Sequence, residues 1–246
     1  MTGLTYRKAD LHIHTPASIC YYDKSVTPEQ IVDIALETGL EVIAITDHNT
    51  FEAVDAVRGI AREKGLCVFP GIELSTRSGH FIGLFDIDTT VNELRDILML
   101  LQPDSSRWGD ATAKLDIDTE ELLKQVSMKG GVILASHIER WPSGILESGE
   151  SSRTRINIME SPYLSGLEIT VPGDRTTWNN GKMINYPRKY ACIQGSDAHN
   201  LNEIGRRPVY IKMEECNLEA LKSAFNDFSD RISFPDDIIE NEITDK

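Results

Sequence analysis

Residues 6–14, Tyr-Arg-Lys-Ala-Asp-Leu-His-Ile-His, read as a strand whose end decides what the chain builds. Alternate residues on a strand share a face, so Asp10, His12 and His14 project together. A second apolar run, Glu41 to Thr46, leads directly into Asp47 and His48. Glu73 follows a strand at Leu66 to Phe69, and His80 opens another that runs to Phe85. Gly131 to Ser136 leads into His137, and Lys189 to Gln194 leads into Gly195-Ser196-Asp197-Ala198-His199. A further strand spans Gly166 to Thr170. All six histidines of the chain thus fall at strand edges and none on a predicted helix face.

Between these strands lie helical stretches with readable starts and stops. Thr27 caps a helix that runs to about Thr38, with Pro28 at its first position and Gly39 ending it. Phe51 to Lys64 is helical and stops at Gly65. Val91 to Leu101 follows a threonine-rich cap, Asp118 to Lys129 carries a Glu pair in its first turn, and Asn217 to Asp227 precedes a polar tail. Strand–helix alternation argues a parallel α/β fold, and seven or so units suggest a barrel. Residues 102–116 and 141–155 are polar and rich in Gly and Ser, and read as loops on the side where barrels carry their active sites. With 246 residues and no linker, one domain over 1–246 is expected.

Composition narrows the function classes. Net charge is −14, which disfavours strong non-specific binding to duplex DNA by the chain alone and suits a protein that gathers carboxylates around cations. No apolar run is long enough to cross a membrane, and the N-terminus lacks the layout of a signal peptide. The four cysteines, Cys20, Cys67, Cys192 and Cys216, are scattered without C-x-x-C spacing and indicate neither a disulfide frame nor a zinc finger. A cytoplasmic, reducing location is the expectation.

Taken singly, each motif has an ordinary structural use. H-x-H can be two strand histidines bonded to backbone, Asp47 and Asp197 can cap turns, and Glu73 can end a loop. Together they use every histidine in the chain, and imidazole with carboxylate is the donor set of zinc, manganese or iron. Eight ligands, His12, His14, His48, Glu73, His80, His137, Asp197 and His199, exceed what one four-coordinate ion needs. Two or three divalent metal ions are therefore expected.

At these residues the sequence resembles the PHP (polymerase and histidinol phosphatase) family. The matching elements are Asp10-x-His12-x-His14, Thr46-Asp47-His48, Gly71-Ile72-Glu73, Gly79-His80, the strand-end His137 and Asp197-Ala198-His199. The resemblance implies a distorted (β/α)7 barrel with phosphoesterase chemistry. It also divides the ligands: His12, His14, Glu73 and Asp197 for a first metal; Glu73, His80 and His137 for a second; His48 and His199 for a third. Family members often complete the third site with a His or Asp where this chain has Ile19 and Cys20, leaving Cys20 or Asp23 available. The stretch from His14 to Lys24 most resembles PHP domains fused to large ATPases, which implies a possible ATPase partner.

The expected chemistry is hydrolysis of a phosphomonoester, a nucleotide or a short oligonucleotide by a hydroxide bridging two metals. A nuclease subunit or a non-catalytic assembly module is the alternative. Glu73, Asp197 and His199 are the expected catalytic residues, and Asp10 is expected to hold a ligand imidazole. Arg206 and Arg207 are expected to clamp phosphate, with Arg153 and Arg155 as weaker candidates. Trp141 and Trp178 are candidates for base stacking or for core packing.

Overall fold

A computed structural model describes residues 3–102 and 104–237. Its strands are β1 (Thr5–Ile13), β2 (Val42–Ile45), β3 (Cys67–Thr76), β4 (Gly79–Leu84), β5 (Val132–Ala135), β6 (Gly166–Glu168), β7 (Ala191–Ile193), β8 (Val209–Met213) and β9 (Ile232–Ser233). They form one sheet in the order β7-β6-β5-β4-β3-β2-β1-β8-β9. Beyond β7 the chain returns alongside the end of β1, where Ile13 bridges Ala198 in parallel and the His14 amide donates to the Ala198 carbonyl at 3.0 Å. This contact curls β1 to β7 into a nearly closed barrel, the expected fold class. β8 pairs antiparallel with the first half of β1, from Thr5 to Ala9.

The short strands β2 and β5 are fully buried runs, Val-Ile-Ala-Ile and Val-Ile-Leu-Ala, as strands covered on both faces require. The helices follow their start signals. In α1 (Pro28–Glu37), Thr27 and Gln30 form a reciprocal capping box, and Thr90 and Glu93 do the same for α3 (Val91–Leu101). α2 (Val54–Lys64) ends on Gly65 in the left-handed conformation. Asp118 caps α4 (Thr119–Met128), and Asn217 caps α7 (Leu218–Asn226).

Three features depart from the sequence-based expectation. β4 is antiparallel to both β3 and β5, because Arg77 and Ser78 turn the chain straight back. His80, at the start of β4, therefore meets the rim that the other histidines reach from strand ends. Residues 141–155 are not all loop, since α5 (Ser152–Glu160) begins within them, followed by a short α6 (Arg175–Asn179). Cys67 and Cys216 form a disulfide with Cα atoms 6.4 Å apart. Residues 149 apart in sequence carry no spacing signature, so the pairing was invisible there, and the expectation of a reducing location loses its support from the cysteines. The last short helix, α8 (Phe228–Arg231), and β9 occupy part of the stretch read as a polar tail, whose residues 238–246 lie outside those described. Among the described residues no helix is long and apolar enough to cross a membrane.

The barrel seam is held by Asp10, whose buried carboxylate accepts from the amides of Ser196 at 3.1 Å and Gly205 at 2.9 Å. It fixes backbone, and the imidazole-holding role falls to another residue. Gly195 makes the close approach possible: a Cβ there would lie 2.8 Å from His12 Cβ and 3.1 Å from Glu168 Oε1. Gly195→Ala is therefore expected to push the return segment off β1, lowering stability by about 1–3 kcal/mol and loosening metal binding. Thermal melts of the metal-free variant check the first effect, and an unchanged melt would refute the packing argument.

Candidate metal centre

The imidazoles of His12, His14, His48, His80, His137 and His199 converge on the C-terminal rim of the barrel, with neighbouring ring centroids 4.2–6.0 Å apart. Glu73, fully buried, stands among them. Its Oε2 lies 3.3 Å from His12 Nε2, 3.3 Å from His14 Nε2 and 3.1 Å from His48 Nδ1. Its Oε1 lies 3.0 Å from His137 Nε2 and 3.2 Å from His80 Nδ1. Asp197 Oδ1 completes one corner, 3.2 Å from His12 Nε2 and 3.0 Å from His14 Nε2. All eight expected ligands therefore reach one place.

Hydrogen bonds behind the rings decide which nitrogens face inward with a lone pair. Ser18 Oγ donates to Asp47 at 2.6 Å, so toward its other neighbours it only accepts. It takes the His14 Nδ1 proton at 3.0 Å and the His48 amide proton at 3.1 Å. Asp47 also accepts from the Thr15 amide and hydroxyl, which locks the turn carrying Ser18. Likewise, His12 Nδ1 donates to Glu168 Oε2 at 2.7 Å. The Nε2 atoms of His12 and His14, only 3.2 Å apart, are left with inward lone pairs facing two carboxylates.

Four acceptors confronting one another are satisfied by a cation. His48 Nδ1, Glu73 Oε2 and His137 Nδ1 are buried with no hydrogen-bond partner, and three subsets of the ring meet the spacing of a metal site: His12, His14, Glu73 and Asp197; His48, Glu73 and His80; and His14, His48 and His199. The residues present fit divalent metal ions. His48 is shared between two of these subsets, whereas the resemblance assigned it to the third site alone. The backbone is strained here as well: His137 and Asp197 have φ of 28° and 50°, and Asn49, next to His48, has 49°.

Two residues of the centre escaped the sequence reading. Glu168, buried at the end of β6, orients His12 and also accepts from the His137 amide at 3.3 Å. Arg140, three residues after His137, pairs with Asp197 Oδ2. The signal for Arg140 was its spacing from a candidate ligand at a strand end; Glu168, lone in an apolar run, gave none. Arg206 donates to the Ser196 carbonyl and to Glu203, and Arg207 to the carbonyls of Ile169 and Thr170. Arg155 donates to the Leu146 carbonyl. Trp178 is core, whereas Trp141 is exposed. Cys20 Sγ lies 3.1 Å from His199 Nε2, and Asp23 turns to Ser25.

Without a cation, protons balance the carboxylates. Burial opposes charge on His12, yet Glu168, Glu73 and Asp197 hold it well above its ordinary value. Burial opposes charge on His14 too, but Asp197 and Glu73 carry it up to about 9. Burial pushes Glu73 up, and the surrounding imidazoles outweigh this to hold it well below the carboxylate range.

Barrel and rim together define a metallohydrolase, built from imidazoles and carboxylates gathered at one rim of the barrel. The chain belongs to the PHP domain family, whose model matches residues 10–139. An uncharacterized protein of Methanocaldococcus jannaschii is 34% identical over 137 residues, 53% of this chain and 67% of the relative. The 5'-3' exoribonuclease Rnm of Salmonella typhimurium is 40% identical over 95 residues, 36% of this chain and 31% of the exoribonuclease. Among solved structures, Endonuclease Q in complex with a 27-mer duplex bearing an abasic lesion matches with a TM-score of 0.71 at 15% identity, a likeness of fold. The match covers 92% of this chain and 58% of the endonuclease.

A metal must displace the protons that His12 and His14 carry. Because His14 is protonated below about 9 in the metal-free centre, metal affinity is expected to rise with pH across the neutral range and level off above that value. Each displaced proton weakens apparent affinity about tenfold per pH unit below it. Calorimetric titration with zinc in buffers of different ionisation enthalpy reads the proton release directly. Binding without proton release at pH 7 would contradict this electrostatic account.

Proposed function

We propose that this metal-dependent phosphoesterase hydrolyses a small phosphate ester, a nucleotide or a short oligonucleotide, using two or three zinc, manganese or iron ions. The observation that carries the reading is Glu73 Oε2, fully buried, bonded to nothing and ringed by nitrogens of three histidines. His12, His14, Glu73 and Asp197 would hold one ion, Glu73 with His80 and His137 a second, and His48 and His199 a third. Such ions supply a hydroxide at neutral pH and neutralise charge on phosphate oxygens.

The remaining work belongs to the chain. Glu73, with Oε2 toward His12 and His14 and Oε1 toward His80 and His137, would contribute to both of the first two positions. Glu168 and Ser18 hold the rings of His12 and His14 so that their lone pairs face inward. Asp197, held by Arg140 through its other oxygen, is placed to accept a proton at the first position, and His199 lies beside it. Arg140 is the cationic side chain bonded into the centre, and we assign it the contact to substrate phosphate. Arg206 and Arg207 then serve as anchors of the segments ending at Ser196 and Thr170. The net charge of −14 fits a small or single-stranded substrate better than a long duplex. An ATPase partner is no part of this reading, which needs only the chain's own residues.

Glu73→Gln keeps the shape of the side chain and removes its charge. Loss of an outer partner of a metal ligand typically costs about 10–100-fold, so this variant is expected to lose more than about 100-fold in activity on bis(p-nitrophenyl) phosphate, with reduced metal content. Full activity in the Gln variant would sink the assignment. Arg140→Ala is expected to raise KM for phosphate esters by about tenfold or more through loss of a charge-assisted contact, measured at saturating metal because the substitution also frees Asp197 Oδ2. An unchanged KM would remove Arg140 from the substrate contact.

A further inference from the structure

His14, His48 and His199 bring one nitrogen each to within 4.8 Å of one another. The thiol of Cys20 stands at the same place. His199 Nδ1 lies 2.9 Å from the Asp197 carbonyl oxygen, which only accepts, so the ring proton is on Nδ1. The lone pair on Nε2 then faces Cys20 Sγ at 3.1 Å. The Cys20 backbone is fixed on both sides: the Ile19 amide donates to the Gly109 carbonyl at 2.7 Å and the Tyr22 amide to the His199 carbonyl at 3.1 Å. Asp23 does not compete, since its carboxylate accepts from the Ser25 amide at 2.9 Å and the Ser25 hydroxyl at 2.6 Å. The thiol does not stand alone there, for the buried His14 and His48 each bring a nitrogen into the group that His199 completes.

We propose that Cys20 binds, as a thiolate, the cation that His48 and His199 face, making this position a mixed nitrogen–sulfur site. The inference rests on the metal-dependent reading above and sharpens it, because sulfur selects zinc or a similarly thiophilic ion over magnesium or calcium, which take oxygen. One sulfur–metal bond forms and the thiol proton leaves to solvent; nothing is oxidised or reduced. The metal-binding role also gives the exposed thiol a second consequence, since any reagent that caps the sulfur competes with the ion.

The free cysteines among the described residues are Cys20, exposed, and Cys192, buried, so an aromatic disulfide reagent reads Cys20. Zinc is expected to slow that reaction by more than about tenfold, magnesium to leave it unchanged. Cobalt is expected to give a near-ultraviolet thiolate charge-transfer band. Cys20→Ser, a small change at an exposed site, should abolish the band and lower the metal count by one ion while the others stay. Equal thiol reactivity with and without zinc, or a full metal count and unchanged cobalt spectrum in the Ser variant, overturns the inference. If wild type binds zinc at the Glu73 position but leaves the thiol reactive, this inference fails alone; if it binds none of zinc, manganese and iron, both readings fail.

Discussion

A carboxylate with no contact with water governs the rim of this barrel. Taking an ionised Glu73 out of solvent costs several kcal/mol unless opposite charge meets it. The chain surrounds it with five imidazoles and turns their nitrogens toward its two oxygens. Protons or metal ions must fill the gaps, and only ions do so without setting imidazolium against imidazolium. The same constraint explains why the rim is built on strands, since a ring of lone pairs held this close needs a frame that cannot relax away from it.

Orientation comes from a layer of residues that never face the centre. Asp47 takes both the hydroxyl and the amide protons of the turn at residues 15–18. That leaves the Ser18 oxygen free to accept from His14, so a buried aspartate two bonds away selects the tautomer of a candidate ligand. Glu168 does the same for His12 in one step. Asp10 ties the two edges of the barrel together through backbone amides, which keeps His12 and Asp197 within reach of each other. Packing, hydrogen bonding and ligand chemistry are thus one continuous network from seam to centre.

Much of this was legible in the residues alone. The capped helices stand where Thr27-Pro28 and Thr90 announce them, and the candidate ligands stand at or just beyond strand ends, except Glu73, which lies inside a β3 that runs on to Thr76 and does not end at Phe69. What stayed hidden has physical reasons. The apolar run of β4 carries no mark of direction, so its reversal, and the reason His80 starts a strand and does not end one, needed the hairpin at Arg77-Ser78. Ser-Arg-Thr-Arg-Ile-Asn-Ile-Met-Glu buries few side chains as α5, and its weak apolar stripe reads as loop. Glu168 sits in a short strand among apolar neighbours, where one acid has no periodic partner. Arg206 and Arg207 showed their charge but not that backbone carbonyls would claim it.

The bond between Cys67 and Cys216 makes the intervening chain a covalent ring. Glu73, His80, His137, Asp197 and His199 lie inside that ring, while His12, His14 and His48 enter from the open segment before it. A protease that nicked an exposed rim loop, for instance near residues 104–107, would leave both pieces joined and still able to present the whole donor set. Cleavage between His14 and His48, ahead of the ring, would instead release the strand that carries two of the donors. Resistance to digestion is therefore unequal along this chain, and its weak point lies in the first quarter.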